Sequence, residues 1–386
     1  MRFTHTHFMP YTGVKEAAKD WPVPNKAFDG DLAARLWEEY IDDKAYAEEC
    51  GFDWMGSNEH HFSPYGMMPN PNLVGAILAD RTKKARILQA GNLVPISNPI
   101  RIAEEYAMLD VASRGRLIAG FMRGIPHEYV AYNVAADESY DRMEEAVELI
   151  LKCWTEPEPF GWEGEYYQYR AVSVWPKPIQ TPNPPLLMSV SSERSARIAA
   201  RFKAIAGILA LTGFDEARQT MDRYRQFARE AGWEATADHF TTGANCCIAP
   251  TYEEAKSYLE PAIEYFFGTL GGGIRTAQQI VIQKTRYFGS VQELEERRNK
   301  FVNTRQGGLS FDERVERGLI VCGTPEMAIE QITRFHKELG IRHMGLHCNI
   351  GNMPREVGRR TMEYLRDQVF PAVRHLGEGE HSAAAE

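Results

Sequence analysis

The sequence predicts a (β/α)8 barrel, and three observations carry the prediction. Eight short strand-like runs alternate with segments whose apolar residues recur at helical spacing. The spacing from strand to helix is short, which favours parallel strands joined by right-handed crossovers. A length of 386 residues suits one barrel with insertions better than the rival, an open doubly wound sheet.

The elements follow in order. RFTHTHF alternates and forms the first strand. LAARLWEEYIDDKAYAEEC repeats its apolar residues at helical spacing and stops at Gly51, a suitable C-cap. FDWMGSN is the second strand, and Asn70-Pro71 opens the helix PNLVGAILADRT with proline in its first turn. ARILQAGNLV is the third strand, and NPIRIAEEYAMLDVAS is a helix with an asparagine cap followed by proline. RLIAGFM is the fourth strand; a helix then covers about 140–155, and a proline- and aromatic-rich stretch runs to 185. The alternation resumes with strand LLMSV, helix SERSARIAARF, strand AIAGILA and helix DEARQTMDRYRQFAREAG. Strand TTGANCCIA and helix TYEEAKSYLEPAIEYFF come next. The last strand, HMGLHC, lies between the helices PEMAIEQITRFHKEL and PREVGRRTMEYLRDQVFPAV.

One barrel domain over 1–376 accounts for this order, with long connections at about 156–185 and about 269–318. The second is expected to be a lid-like insertion, since long connections in a compact domain are usually functional or mobile. The tail GEGEHSAAAE, 377–386, is expected to be disordered.

Composition narrows the function. Hydrophobic residues make up 44% of the chain, ample for a core. The net charge is −9 with acids and bases mixed, and no basic stripe carries interleaved aromatics, so nucleic acid is not expected as a partner. No apolar run approaches a membrane span or a signal core, so no membrane association is expected. The six cysteines show no CxxC or zinc-ribbon spacing and read as reduced core residues, which places the protein in the cytoplasm.

A barrel of this kind carries its site at the C-terminal ends of the strands. There the sequence places Glu59-His60-His61, Ala90-Gly91-Asn92, Met122-Arg123-Gly124, Ser191-Ser192 and His347-Cys348-Asn349. Adjacent histidines on one turn diverge, so His60 and His61 suit a proton relay, or a packed pair, better than joint metal ligation. His5 and His7 form an HxH on the first strand and keep a metal-dependent hydrolase open as a rival. Ser191 or Ser192 can be a plain helix cap, and Arg123 a surface arginine. Together, a helix N-terminus, serine hydroxyls and an arginine from another strand can also hold a phosphomonoester.

The stretches GFDWMGSNEHHFSPYGMMPNPNLVGAILADRT, NPIRIAEEYAMLDVASRGRLIAGFMRG and VCGTPEMAIEQI resemble the bacterial luciferase-like, flavin-dependent monooxygenase family. The similarity keeps its order from about residue 2 to about 375. It implies a (β/α)8 barrel that binds reduced FMN supplied by a separate NAD(P)H:flavin reductase and uses O2 to oxygenate a small organic substrate. It also implies a homodimer or higher homo-oligomer. By position, His60 matches the family's catalytic histidine and His61 its neighbour. Ala90-Gly91 matches a non-prolyl cis peptide under the flavin, Arg123 the arginine at the FMN phosphate, and Ser191-Ser192 the phosphate-binding helix start. Met122 stands where the luciferases carry a reactive cysteine, and Tyr132-Asn133-Val134 replaces a common FG pair. A deazaflavin-dependent oxidoreductase on the same barrel and a flavin-binding protein without turnover remain alternatives. Trp54, Tyr65, Met67, Met68 and FGWEGEYYQY suggest an apolar pocket or lid, or equally ordinary packing; the additional anion contacts that sulfonate-oxidising relatives need are not found in the sequence, so an uncharged or aromatic substrate is expected.

Overall fold

The computed structural model describes residues 1–208, 213–285 and 309–377. Eight parallel strands close on themselves: β1 (Arg2–Thr6), β2 (Trp54–Ser57), β3 (Arg86–Leu93), β4 (Leu117–Met122), β7 (Leu186–Val190), β8 (Ile205–Ile208), β9 (Phe240–Ile248) and β11 (His343–His347). Closure runs through β8–β9, with Ala206 opposite Phe240, and through β11–β1, with Met344 opposite Phe3. These are the eight runs that alternation and spacing select, so the predicted barrel is the observed one. Two features are additional. A short antiparallel hairpin, β5 (Phe160–Glu163) with β6 (Gln168–Val172), occupies the connection before β7. Strand β10 (Ile320–Gly323) pairs in parallel with Asn245–Ile248 of β9.

The local signals act where they were placed. Helix α1 (Gly30–Glu49) is capped by Asp29, which accepts from Leu32 N at 2.9 Å, and Gly51 beyond its end takes φ +87°. Asn70 and Asn98 cap α2 (Pro71–Arg81) and α3 (Pro99–Ala112), each with proline at the first helical position, where the missing N–H costs nothing.

Two apolar layers hold the barrel. Outside it, a large core of strand and helix side chains includes Phe3, Tyr106, Phe121, Phe240 and Phe335. Inside it, Trp54, Leu88, Ile118 and Leu187 form a plug, with Ala90, Met122 and Ile205 packed on it and the His343 ring 3.4 Å from that of Trp54. The barrel is therefore a packed core with a floor, not a pore. Trp54 belongs to this plug and Met68 is 2% exposed in the outer core, so neither lines an open pocket. FGWEGEYYQY forms the β5–β6 hairpin, pinned by Glu145, which accepts from Trp162 Nε1 and from the Tyr166 and Tyr167 amides.

Of the segment 269–318, residues 286–308 lie outside the described residues, as do 378–386 of the tail. The described part contains helix α9 (Gly272–Lys284), whose Val281 packs on Tyr129 and Ala136. All six cysteines are buried and free.

Candidate active site

Strand β3 is irregular at the mouth. Its register with β4 shifts between Gln89 and Asn92, and the intervening Ala90–Gly91 peptide is cis, as the resemblance implied. Tyr106 of α3 serves the interrupted ladder: its hydroxyl accepts from Asn92 N at 3.3 Å and donates to Gly120 O at 2.6 Å. Both glycines are sterically required. A Cβ at Gly91 would lie 2.3 Å from Gly120 O, and one at Gly120 would lie 1.8 Å from Gln89 O. Gly91 thus answers to the approach of β4, a reason the sequence alone did not supply. Ala90 and Met122, partly exposed above the interior plug, make an apolar floor.

The two histidines after β2 have different surroundings. His61 is buried and uses both ring nitrogens: Nε2 meets Glu59 Oε1 at 2.8 Å, and Nδ1 meets the Tyr132 hydroxyl at 3.0 Å. Glu59 also accepts from Leu93 N at 3.1 Å, and burial raises its carboxyl above the ordinary range. His60 has a side chain 20% exposed; its Nδ1 lies 3.1 Å from Glu128 Oε1, and its Nε2 has no hydrogen-bond partner among the described residues. The Tyr65 ring stands edge-on to His60 at 5.0 Å and packs on Phe266 at 4.2 Å.

Helix α4 (Pro126–Ala131) joins this turn to the arginine. His127 Nε2 meets His61 O at 3.3 Å, Glu128 meets His60, and the Tyr129 hydroxyl donates to Arg123 O. Tyr132, at the C-cap of α4, reaches His61; here the departure from the family's FG pair places a hydrogen-bonding group.

Arg123 and Ser192 meet through Tyr140. The Arg123 guanidinium lies 4.1 Å from the Tyr140 ring centroid and donates to Ser139 Oγ at 3.2 Å. Arg194 covers the same ring at 4.7 Å, and the Tyr140 hydroxyl lies 2.8 Å from Ser192 Oγ. Ser192 caps α6 (Glu193–Arg201), accepting from Ser195 N at 3.2 Å, while Ser195 Oγ accepts from the Ser191 and Ser192 amides. The plain cap and the cationic corner are therefore both present.

The HxH pair faces the other way. Thr4 is in register with Trp54 of the interior plug, so alternation turns His5 outward, and its ring packs on Phe52 at 5.4 Å. His7 packs on Tyr40 of α1 at 4.4 Å. Their electrostatic neighbours are His347 and Lys44, the latter buried and donating to Gly56 O at 2.5 Å. Burial, then Lys44, holds both imidazoles well below the ordinary histidine range. Among the described residues no group of three acid, histidine or cysteine side chains could hold a metal ion. His347 ends β11 with its ring stacked on Phe8 at 5.1 Å. A cavity of about 400 Å³ between Phe214, Arg218, Arg317 and Arg334 shares no lining residue with either cluster.

Comparison with known proteins bears on the family and the fold. The chain is 24% identical to an alkanal monooxygenase alpha chain of Photobacterium leiognathi, over 89% of this chain and 95% of that one. It is 30% identical to the oxygenase component of a flavin-dependent trigonelline monooxygenase of Acinetobacter baylyi, over 43% of this chain and 46% of that one. Among solved structures, monooxygenase RslO1 from Streptomyces bottropensis superposes with a TM-score of 0.74 at 26% identity, covering 96% of this chain and 99% of that one. The oxygenating constituent of 3,6-diketocamphane monooxygenase from Pseudomonas putida, in complex with FMN, gives 0.73 at 19%, covering 96% and 98%. An F420-dependent secondary alcohol dehydrogenase gives 0.66 at 18%, covering 97% and 99%, so the fold also serves a deazaflavin. The family profile described as luciferase-like monooxygenase matches residues 24–343, and the chain belongs to that family.

Proposed function

We propose that the protein is the oxygenase component of a two-component, FMN-dependent monooxygenase that oxygenates a small organic substrate. The observation that carries this reading is that α4 ties His60 to Arg123 beside the apolar Ala90–Met122 floor. A flat, apolar ring with an anionic tail fits that arrangement: floor for the ring, guanidinium and α6 N-terminus for the phosphate. Arg123, Ser191 and Ser192 would hold the phosphate, and Ala90 and Gly91 would lie beneath the ring. Reduced FMN, when bound, supplies the activation of dioxygen. The chain's own residues bind and orient, exclude water, and move a proton at His60 Nε2. The family's reduced flavin comes from a separate NAD(P)H:flavin reductase, in keeping with a relative named as an oxygenase component. The Tyr65–Phe266 wall beside His60 favours an uncharged or aromatic substrate.

Titration with reduced FMN and reduced riboflavin tests the cofactor. Wild type should prefer FMN, and Arg123→Ala should lose about 1.5–3 kcal/mol, roughly tenfold to a hundredfold, for FMN alone. Equal affinity for the two flavins, or binding of reduced F420 in place of FMN, would remove this reading. Incorporation of labelled oxygen into a substrate panel, with a reductase supplying reduced FMN, tests the reaction.

A further inference from the structure

His60 and Glu128 are separated by 68 residues, yet their side chains meet at 3.1 Å, with the Glu128 side chain 0% exposed. A buried carboxylate is unfavourable unless its surroundings hold the charge. Here they do: Oε2 accepts from Ile125 N at 2.7 Å, while His60 meets Oε1 and His127 flanks the group. Burial pushes this carboxyl up, but His60, His127 and the Ile125 amide outweigh it and hold it below the ordinary range. The preceding turn is shaped around it. Gly124 has φ +83°, and a Cβ there would lie 2.9 Å from Glu128 Oε2.

We propose that Glu128 is the positioning residue of the site, fixing the tautomer of His60. An ionised carboxylate only accepts hydrogen bonds. His60 Nδ1 must then carry a proton, which leaves Nε2 as the nitrogen that gains and loses one. The neighbouring pair cannot do this, because both nitrogens of His61 are already committed. The inference rests on the reading of His60 as the proton-handling group of a flavin-dependent oxygenation. A bland role is also defined: Glu128 could merely anchor α4 to the histidine turn.

Nitrogen-15 NMR of the histidine rings in flavin-free protein separates the two roles, with His60 assigned by its loss in His60→Ala. Wild type should show the neutral His60 ring protonated at Nδ1. In Glu128→Gln, which keeps the shape and removes the charge, the carboxamide can meet Nδ1 as donor or as acceptor, so the single tautomer should give way to a mixture. Product yield should fall with it, with FMN affinity within a few-fold. Glu128→Asp should restore part of the Nδ1-protonated form. A wild-type ring protonated at Nε2, or an unchanged tautomer in a folded Glu128→Gln protein, would overturn the proposal. The wild-type tautomer needs no variant to fold. It is read without flavin, so it stands apart from the flavin reading, which fails instead if wild type gives no oxygenated product from reduced FMN.

Discussion

Two histidine–glutamate pairs sit side by side at the mouth of this barrel, and their surroundings are opposite in kind. In the His61–Glu59 pair every ring nitrogen is occupied, and the carboxyl is raised by burial. In the His60–Glu128 pair the carboxyl is the buried partner, held ionised by donors, while one imidazole nitrogen is left for the mouth. On the proposed reading, these adjacent identical side chains divide into a strut and a proton carrier. What separates them is the number of hydrogen bonds each ring has already spent inside the protein.

The largest expected effect of breaking this division is on turnover. His60→Ala should lower the rate of product formation by about 10²–10⁴, the scale of a general acid–base group, and, by leaving buried Glu128 without its side-chain partner, should also cost about 1–3 kcal/mol of stability. His61→Ala should differ in sparing turnover. It leaves Glu59 without its partner and should cost about 1–3 kcal/mol of stability in denaturant unfolding, with product formation per folded molecule within tenfold. Tyr132→Phe removes a single hydrogen bond to the same ring and should cost about 0.5–1.5 kcal/mol.

The two carboxyls also predict opposite pH dependences of stability. Glu128 has its folded value below the ordinary 4.5, so the unfolded chain binds more protons on the acid side. Its contribution is present above 4.5 and is lost as the pH falls through the lowered value. Glu59 has its folded value above 4.5; its contribution is present below 4.5 and is lost as the pH rises through the raised value. Unfolding free energies across pH should therefore show Glu128→Gln flattening the acid side and Glu59→Gln flattening the side above 4.5. The same slope change in both variants would mean that the pairs are not distinct.

Most of the frame was legible from sequence because it rests on local rules. Alternation marked the eight barrel strands, and Asn-Pro pairs marked the starts of α2 and α3. Those rules also placed His60, Arg123 and Ser192 after the second, fourth and fifth strands of one barrel. Their partners were not legible. α4 is six residues long and too short to show a period, yet it carries Glu128 and Tyr129 and ends at Tyr132. Tyr140, which joins Arg123 to Ser192, looked like one aromatic in an ordinary helix. The outward face of His5 and His7 depends on which side of β1 meets the interior, and only barrel closure fixes that. The β5–β6 hairpin escaped notice because its strands span four and five residues with largely half-exposed or exposed side chains.

The central claim is that His60, and not His61, governs the outcome of oxygen chemistry at the mouth of this barrel. The direct measurement is the yield of oxygenated product and of hydrogen peroxide per reduced flavin, in wild type, His60→Ala and His61→Ala, with a reductase supplying reduced FMN. Wild type and His61→Ala should form mostly product. His60→Ala should consume the same reduced flavin and oxygen but release hydrogen peroxide in place of product. Full coupling in His60→Ala would contradict the account: with coupling lost in His61→Ala the two roles are reversed, and with coupling kept in both the pair is structural.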